Sequence, residues 1–156
     1  MTERSKANPI LGYSDTETVK LDFDNMSFKS VKYWASRIGR WFKLRGFIVL
    51  KSSNNRYHVV FDREVSWSLN VKIMGWACLQ SKHKGLTGYF ILQCIKQGST
   101  LRISPKKDKL CPRPVYYYGK QDGQIRSFLE YRHMLREFVR KLKTSPKPQP
   151  HNKEGR

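Results

Sequence analysis

The feature that most constrains how this chain can fold is a change of hydrophobic period within its first fifty residues. From Val19 to Asp24 apolar and polar residues alternate, as they do along a strand buried on one side. Phe28, Val31, Trp34, Ala35, Ile38, Trp41 and Phe42 then recur at intervals of three and four, the spacing of one helix face. Ser27 is the expected N-cap and Gly46 the expected stop. The segment "GFIVLKSSNNRYHVVFD" follows, two β-rich runs separated by the polar cluster Ser52 to Asn55, which predicts a hairpin.

Ser66 opens a second expected helix, "SWSLNVKIMGWACLQ", and "GYFILQCIKQGSTLRIS" reads as a second hairpin turning at Gly98 and Ser99. A short strand at "VYYY" and a helix from about Gln124 to Lys143 complete the pattern. The sum is an α+β domain with an RRM-like or ferredoxin-like split βαβ core, extra strands and a C-terminal helix. Helices are expected on one face of its antiparallel sheet, with the other face open. Residues 1–16 are expected to be a flexible N-terminal segment, 17–143 a single nucleic-acid-binding domain, and 144–156 a disordered basic tail.

Charge narrows the partner. Among 156 residues, 31 Lys and Arg against 12 Asp and Glu give a net charge of +19, which costs stability through self-repulsion and is explained by a polyanionic partner. Nucleic acid is the first candidate, with single-stranded DNA favoured and RNA as the alternative. An anionic membrane surface would suit the same balance, but no run is long and apolar enough to span a bilayer, and a cytoplasmic location is expected. Three cysteines without CxxC spacing predict reduced thiols rather than a zinc site. The helix faces carry cations of a single sign: Arg37, Arg40 and Lys43 on the first, Arg132, Arg136 and Arg140 on the last. With Arg56 and Lys107 these are the residues expected to track a nucleic-acid backbone. Tyr116, Tyr117 and Tyr118 offer rings for base stacking, or equally for a core.

Within so basic a chain, Asp22 and Asp24 stand two residues apart on one strand face. Like charges so placed repel unless the face stays wet, a cation lies between them, or nearby positive charge compensates. Two carboxylates on an open strand are a platform for Mg²⁺ or Mn²⁺, which share hard oxygen ligands with substrate phosphates. The plainer reading is two solvated acids tied to Lys or Arg on neighbouring strands. Alternation places His58 outward on a strand of the same sheet, where it could donate to a phosphate. In "STLRISPKKDK", Leu101 and Ile103 are read as inward, Arg102 and Ser104 as outward, with Lys106 close behind; Arg102 could clamp a phosphate with its planar fork.

Acids two apart on the first strand, a helix, a hairpin whose second strand reads YHVVF, and a later strand reading LRIS with lysine after it: this set resembles the archaeo-eukaryotic primase and primase-polymerase superfamily. The resemblance covers Val19 to about Lys109. It implies that Asp22 and Asp24 bind metal (Mg²⁺ or Mn²⁺) and, with His58, form the catalytic set. It also implies that His58, Arg102 and Lys106 hold a nucleoside triphosphate, and that the chain works in DNA replication beside a helicase or another replication protein. One departure stands out. The family sets a third carboxylate on a later strand, whereas no Asp or Glu occurs between Val65 and Lys107; Gln93 or Gln97 is expected at the equivalent place, with Asp62 and Asp108 as outlying acids. A catalytically inactive binder of single-stranded DNA or RNA is therefore the alternative. A rolling-circle nuclease ranks last, because no histidine pair is available.

Overall fold

The computed structural model describes residues 10–107 and 109–144. The hairpin expected around Ser52 to Asn55 is present as β3 (Gly46–Ser53) and β4 (Arg56–Glu64), with Asn55 at φ 54°, a left-handed position that asparagine tolerates. Its hydrophobic register is Phe47 opposite Phe61, Val49 opposite Val59 and Leu50 opposite His58. The first strand, β2 (Thr18–Asp24), pairs with the other edge of β4, so that Leu21 faces Val59 and Asp22 faces His58. Between β2 and β3 runs α1 (Phe28–Trp41), capped by the Ser27 hydroxyl, which accepts from the Ser30 amide. Because β4 lies between the two strands that α1 connects, the core is a split βαβ unit within an α+β fold, and β6 (Arg113–Gly119) extends the antiparallel order to β2-β4-β3-β6.

Gly46 does not stop α1, which ends at Trp41 with Lys43 and Arg45 in the left-handed region. Gly46 is needed for a different reason: a Cβ there would come within 2.1 Å of the Lys120 carbonyl oxygen, where the chain leaving β6 passes.

Two expectations are corrected. The segment read as a hairpin over 88–104 is mostly helix: α2 (Trp67–Ser81) is followed by α3 (Lys84–Lys96), and only β5 (Ser99–Arg102) is extended. Tyr89, Phe90 and Ile91 favour strands by propensity, but Leu86, Tyr89 and Gln93 are buried at helical spacing, and that packing overrides the preference. The N-terminal segment expected to be flexible contributes β1 (Gly12–Asp15), which pairs antiparallel with β5 in a separate two-stranded ribbon. Residues 1–9 and 145–156, including most of the expected tail, lie outside the described residues.

The sheet also lacks the open face expected of it. One face carries Leu21, Phe23, Tyr57, Val59 and Phe61 beneath α1: Phe28 meets the Tyr57 ring at 5.6 Å, and Gly39 lies over Phe61. The opposite face carries Lys20, Asp22, His58, Val60 and Asp62 by strand alternation. Here α4 (Gln124–Thr144) and the β1–β5 ribbon cover part of the sheet, with Tyr13 edge-on to Phe128 at 5.3 Å and both Ile125 and Phe128 buried. What remains uncovered is a cleft, not a face. Among the described residues no helix is long and apolar enough to cross a membrane.

Candidate functional site

The uncovered part of the second face is a cleft of about 460 Å³ between β2, β4, the ribbon and the loop after β5. Asp22 and Asp24 from β2, His58 from β4, Arg102 from β5, and Lys106 and Lys109 from the following loop all line it. Five of these six are residues the sequence singled out for metal or nucleotide; the structure brings them together from four separate segments.

Asp22 sits beside His58, with 3.6 Å between its Oδ1 and the imidazole Nε2. Burial pushes the Asp22 carboxyl up to about 7, the neighbouring Asp24 adds to the rise, and Lys109, Arg102 and Arg56 oppose it. Burial pushes His58 down to about 3, and the positive charges of Arg102 and Lys109 act in the same direction. The imidazole is therefore neutral near pH 7, and the close approach to Asp22 is not an ion pair. His58 is only 4% exposed, so the outward, accessible position expected from alternation is corrected: α4 and the ribbon roof the strand face on which it stands. Both Asp22 Oδ1 and His58 Nδ1 are buried without a hydrogen-bond partner. Groups of this kind normally find partners in a folded protein, and two unpaired neighbours at a cleft wall make a receptor for something polar.

Arg102 lines the cleft while donating to the carbonyl oxygens of Ser104 and Leu110, which fix the loop that carries Lys106 and Lys109. That loop is closed by paired backbone hydrogen bonds between Lys106 and Lys109. Ser104, read as outward, is buried and its hydroxyl accepts from the Leu11 amide. Lys96, Thr100 and Ser52 also line the cleft and went unrecognised in the sequence. Lys96 escaped because it ends a helix where a strand was read.

A divalent cation suits Asp22 and Asp24 in part. The orphaned Asp22 oxygen and the paired carboxylates are the right donors for a hard ion, yet among the described residues no three His, Cys, Asp or Glu side chains cluster as a protein-only cage. The fit is to an ion that brings phosphate or water oxygens with it. Gln93 does not fill the place of a third ligand: it is buried in α3, donating to the Tyr89 carbonyl and accepting from the Thr100 amide, while Gln97 is the left-handed cap of that helix. Asp62 is engaged elsewhere, accepting from the Gly123 and Ile125 amides at the start of α4, and Asp108 lies outside the described residues.

The cations expected to track nucleic acid do not form one surface. Arg37, Arg40 and Lys43 lie on or just beyond α1, across the sheet from the cleft; Arg56 is opposite Asp24 on β4; Lys107 is exposed in the loop after β5. Arg132 is half-buried and spends its donors on the Pro112 carbonyl, whereas Arg136 and Arg140 border an apolar cavity of about 240 Å³ beside Leu135 and Val139. No protein-family model, curated protein or solved structure matches this chain.

Proposed function

We propose that the cleft binds the phosphates of a nucleotide together with a divalent cation, in a primase-polymerase-like domain that acts on nucleic acid. The observation that supports this most is the convergence of two carboxylates, a neutral imidazole and four cations on one cavity whose buried oxygen and nitrogen lack partners. Lys106 and Lys109 supply flexible positive charge for phosphate oxygens, and Arg102 holds the loop that presents them. Asp22 and Asp24 would hold Mg²⁺ or Mn²⁺, which when bound would lower the pKa of an attacking hydroxyl and stabilise departing pyrophosphate. With its carboxyl at about 7, Asp22 must release a proton to take the ion, so binding of metal and nucleotide strengthens from pH 6 to pH 8.

Titration calorimetry with Mn²⁺ and ATP or dATP tests the reading. The expected result is binding of nucleotide that depends on Mn²⁺ and is lost in the Asp22→Asn, Asp24→Asn double variant. Nucleotide binding that ignores both the metal and the two substitutions would overturn it. Metal-dependent incorporation of nucleotides on a single-stranded template is the corresponding activity, and a helicase or another replication protein is the partner class such an activity would need.

A second reading has its own support. With Gln93 and Asp62 committed to backbone, two carboxylates stand where two-metal chemistry uses more, as suits a non-catalytic binder of single strands. In that case the same double variant binds oligonucleotide as well as, or more tightly than, the parent.

A further inference from the structure

The helix side of the molecule carries a second feature that the cleft does not use. On α1, Lys29, Tyr33, Arg37 and Trp41 are spaced four residues apart, so they form a single row along the helix, cation and ring alternating about every 6 Å. Tyr33 is 55% exposed and Trp41 is 69% exposed. Trp41 is nonetheless held in place: its ring stacks on Trp76 of α2 at 5.8 Å and 14° between planes. Arg37 lies over the faces of both Trp34 and Trp76 and donates to the Tyr33 hydroxyl at 3.3 Å. One face of the Trp41 ring is therefore fixed against Trp76.

The electrostatics point the same way. No Asp or Glu occurs between Asp24 and Asp62, nor anywhere in α2, so this side presents positive charge without relief. Among the described residues, Lys29, Lys32, Arg37, Arg40 and Lys43 form no ion pair with a carboxylate. A solvated helix surface that served solubility alone would mix signs and would not expose a fixed tryptophan. A ligand suited to this row has flat apolar rings alternating with negative charges at a stride of one helical step. Single-stranded nucleic acid has that form.

We infer that the Lys29–Tyr33–Arg37–Trp41 row is a stacking strip for single-stranded nucleic acid, on the face of the sheet opposite the cleft. Bases stack on Trp41, continuing the Trp76–Trp41 pair, and on Tyr33. Phosphates pass along Lys29, Arg40 and Lys43. The strip does not depend on the cleft binding a nucleotide.

The test is fluorescence anisotropy with labelled fifteen-residue oligo-dT and oligo-U over a range of salt concentrations. The Tyr33→Ala, Trp41→Ala double variant is expected to bind at least about tenfold more weakly with an unchanged salt slope, since rings are lost and charges are not. Tyr33→Phe, Trp41→Phe restores most of that loss, whereas Arg40→Ala lowers the salt slope by about one. Calorimetry of Mn²⁺ and ATP with the same Tyr33→Ala, Trp41→Ala variant reads the cleft on its own, so failure of the cleft reading and failure of this one are separable. A loss with oligo-dT alone or oligo-U alone still supports the strip and names which of the two nucleic acids it prefers. Parental affinity of the alanine variant for both oligomers overturns the proposal, as does an equal loss in the phenylalanine variant. Should the double alanine variant melt early, Tyr33→Ala alone, at the periphery of the cluster, decides by the same criteria.

Discussion

Lys20 and Asp22 are two residues apart on the same face of β2, and the fold treats them in opposite ways. Lys20 is completely buried, and its ammonium donates to Asp15 Oδ1 at 2.7 Å, to the Ser99 carbonyl and to the Ser99 hydroxyl, so every proton has an acceptor. Through these bonds it joins the β1–β5 ribbon to the main sheet. Burial lowers the Lys20 pKa, and Asp15 offsets this only in part; burial acts to raise the Asp15 carboxyl, and Lys20 with Thr18 outweighs it. Asp22, with a side chain 30% exposed, has an oxygen with no partner and a carboxyl held near 7. Where a buried charge is fully satisfied its role is structural. Where one is left wanting at a cleft, it is the natural candidate to receive a ligand, which is the basis of the function proposed above.

The largest expected effect lies on the satisfied side. Lys20→Met removes the donor to three acceptors and leaves the half-buried Asp15 carboxylate with Thr18 but no countercharge, at a cost of about 3 kcal/mol in urea unfolding. A loss below about 1 kcal/mol would erase the distinction between the two charges. Next comes Asp62, which shares this face: its Oδ1 accepts two backbone amides, while its buried Oδ2 has no hydrogen-bond donor and only the Arg45 guanidinium at 3.7 Å. Asp62→Ala leaves the Gly123 and Ile125 amides without an acceptor at the start of α4 and should cost about 2 kcal/mol by the same measurement.

The smallest effect has the opposite sign. The folded Asp22 carboxyl titrates near 7 and the unfolded one near 3.8, so the folded state holds a proton that the unfolded state has released. Stability from this group is full below about pH 4 and is lost as pH rises to 7. Asp22→Asn lacks that loss, so at pH 8 it should be more stable than the parent by about 1 to 2 kcal/mol, discounted for the solvent that reaches the side chain. The gain should vanish near pH 4. Melting both proteins across this range sharpens the comparison, and an Asp22→Asn variant destabilised at pH 8 would show that Asp22 too is structural.

Much of the fold was legible in the sequence wherever local pattern and tertiary packing agree. Ser27 and Ser66 cap the helices that their positions announce, and the Ser52 to Asn55 cluster turns the hairpin it spells. The misreading at 88–104 came where they disagree: β-branched and aromatic residues over Tyr89 to Ile95 favour a strand locally, but burying Leu86, Tyr89 and Gln93 on one side requires a helix. β1 was illegible for another reason. Four residues, Gly12 to Asp15, are too few to show a period, and their partner β5 lies more than eighty residues away.

The site shows the same division. The alternation along β2 and β4 was enough to put Asp22, Asp24 and His58 on one face, because strand geometry leaves no freedom once the hairpin register is set. Alternation could not tell that this face is roofed, and so could not anticipate a buried, neutral imidazole or a carboxyl near 7. The stacking of Trp41 on Trp76 was equally beyond it, since the two rings belong to different helices. By itself, then, the sequence determined which residues share a surface within each element, a matter of local backbone period. Only the tertiary structure decided which surfaces meet and which stay wet, because desolvation and contact between distant segments are properties of the assembled chain.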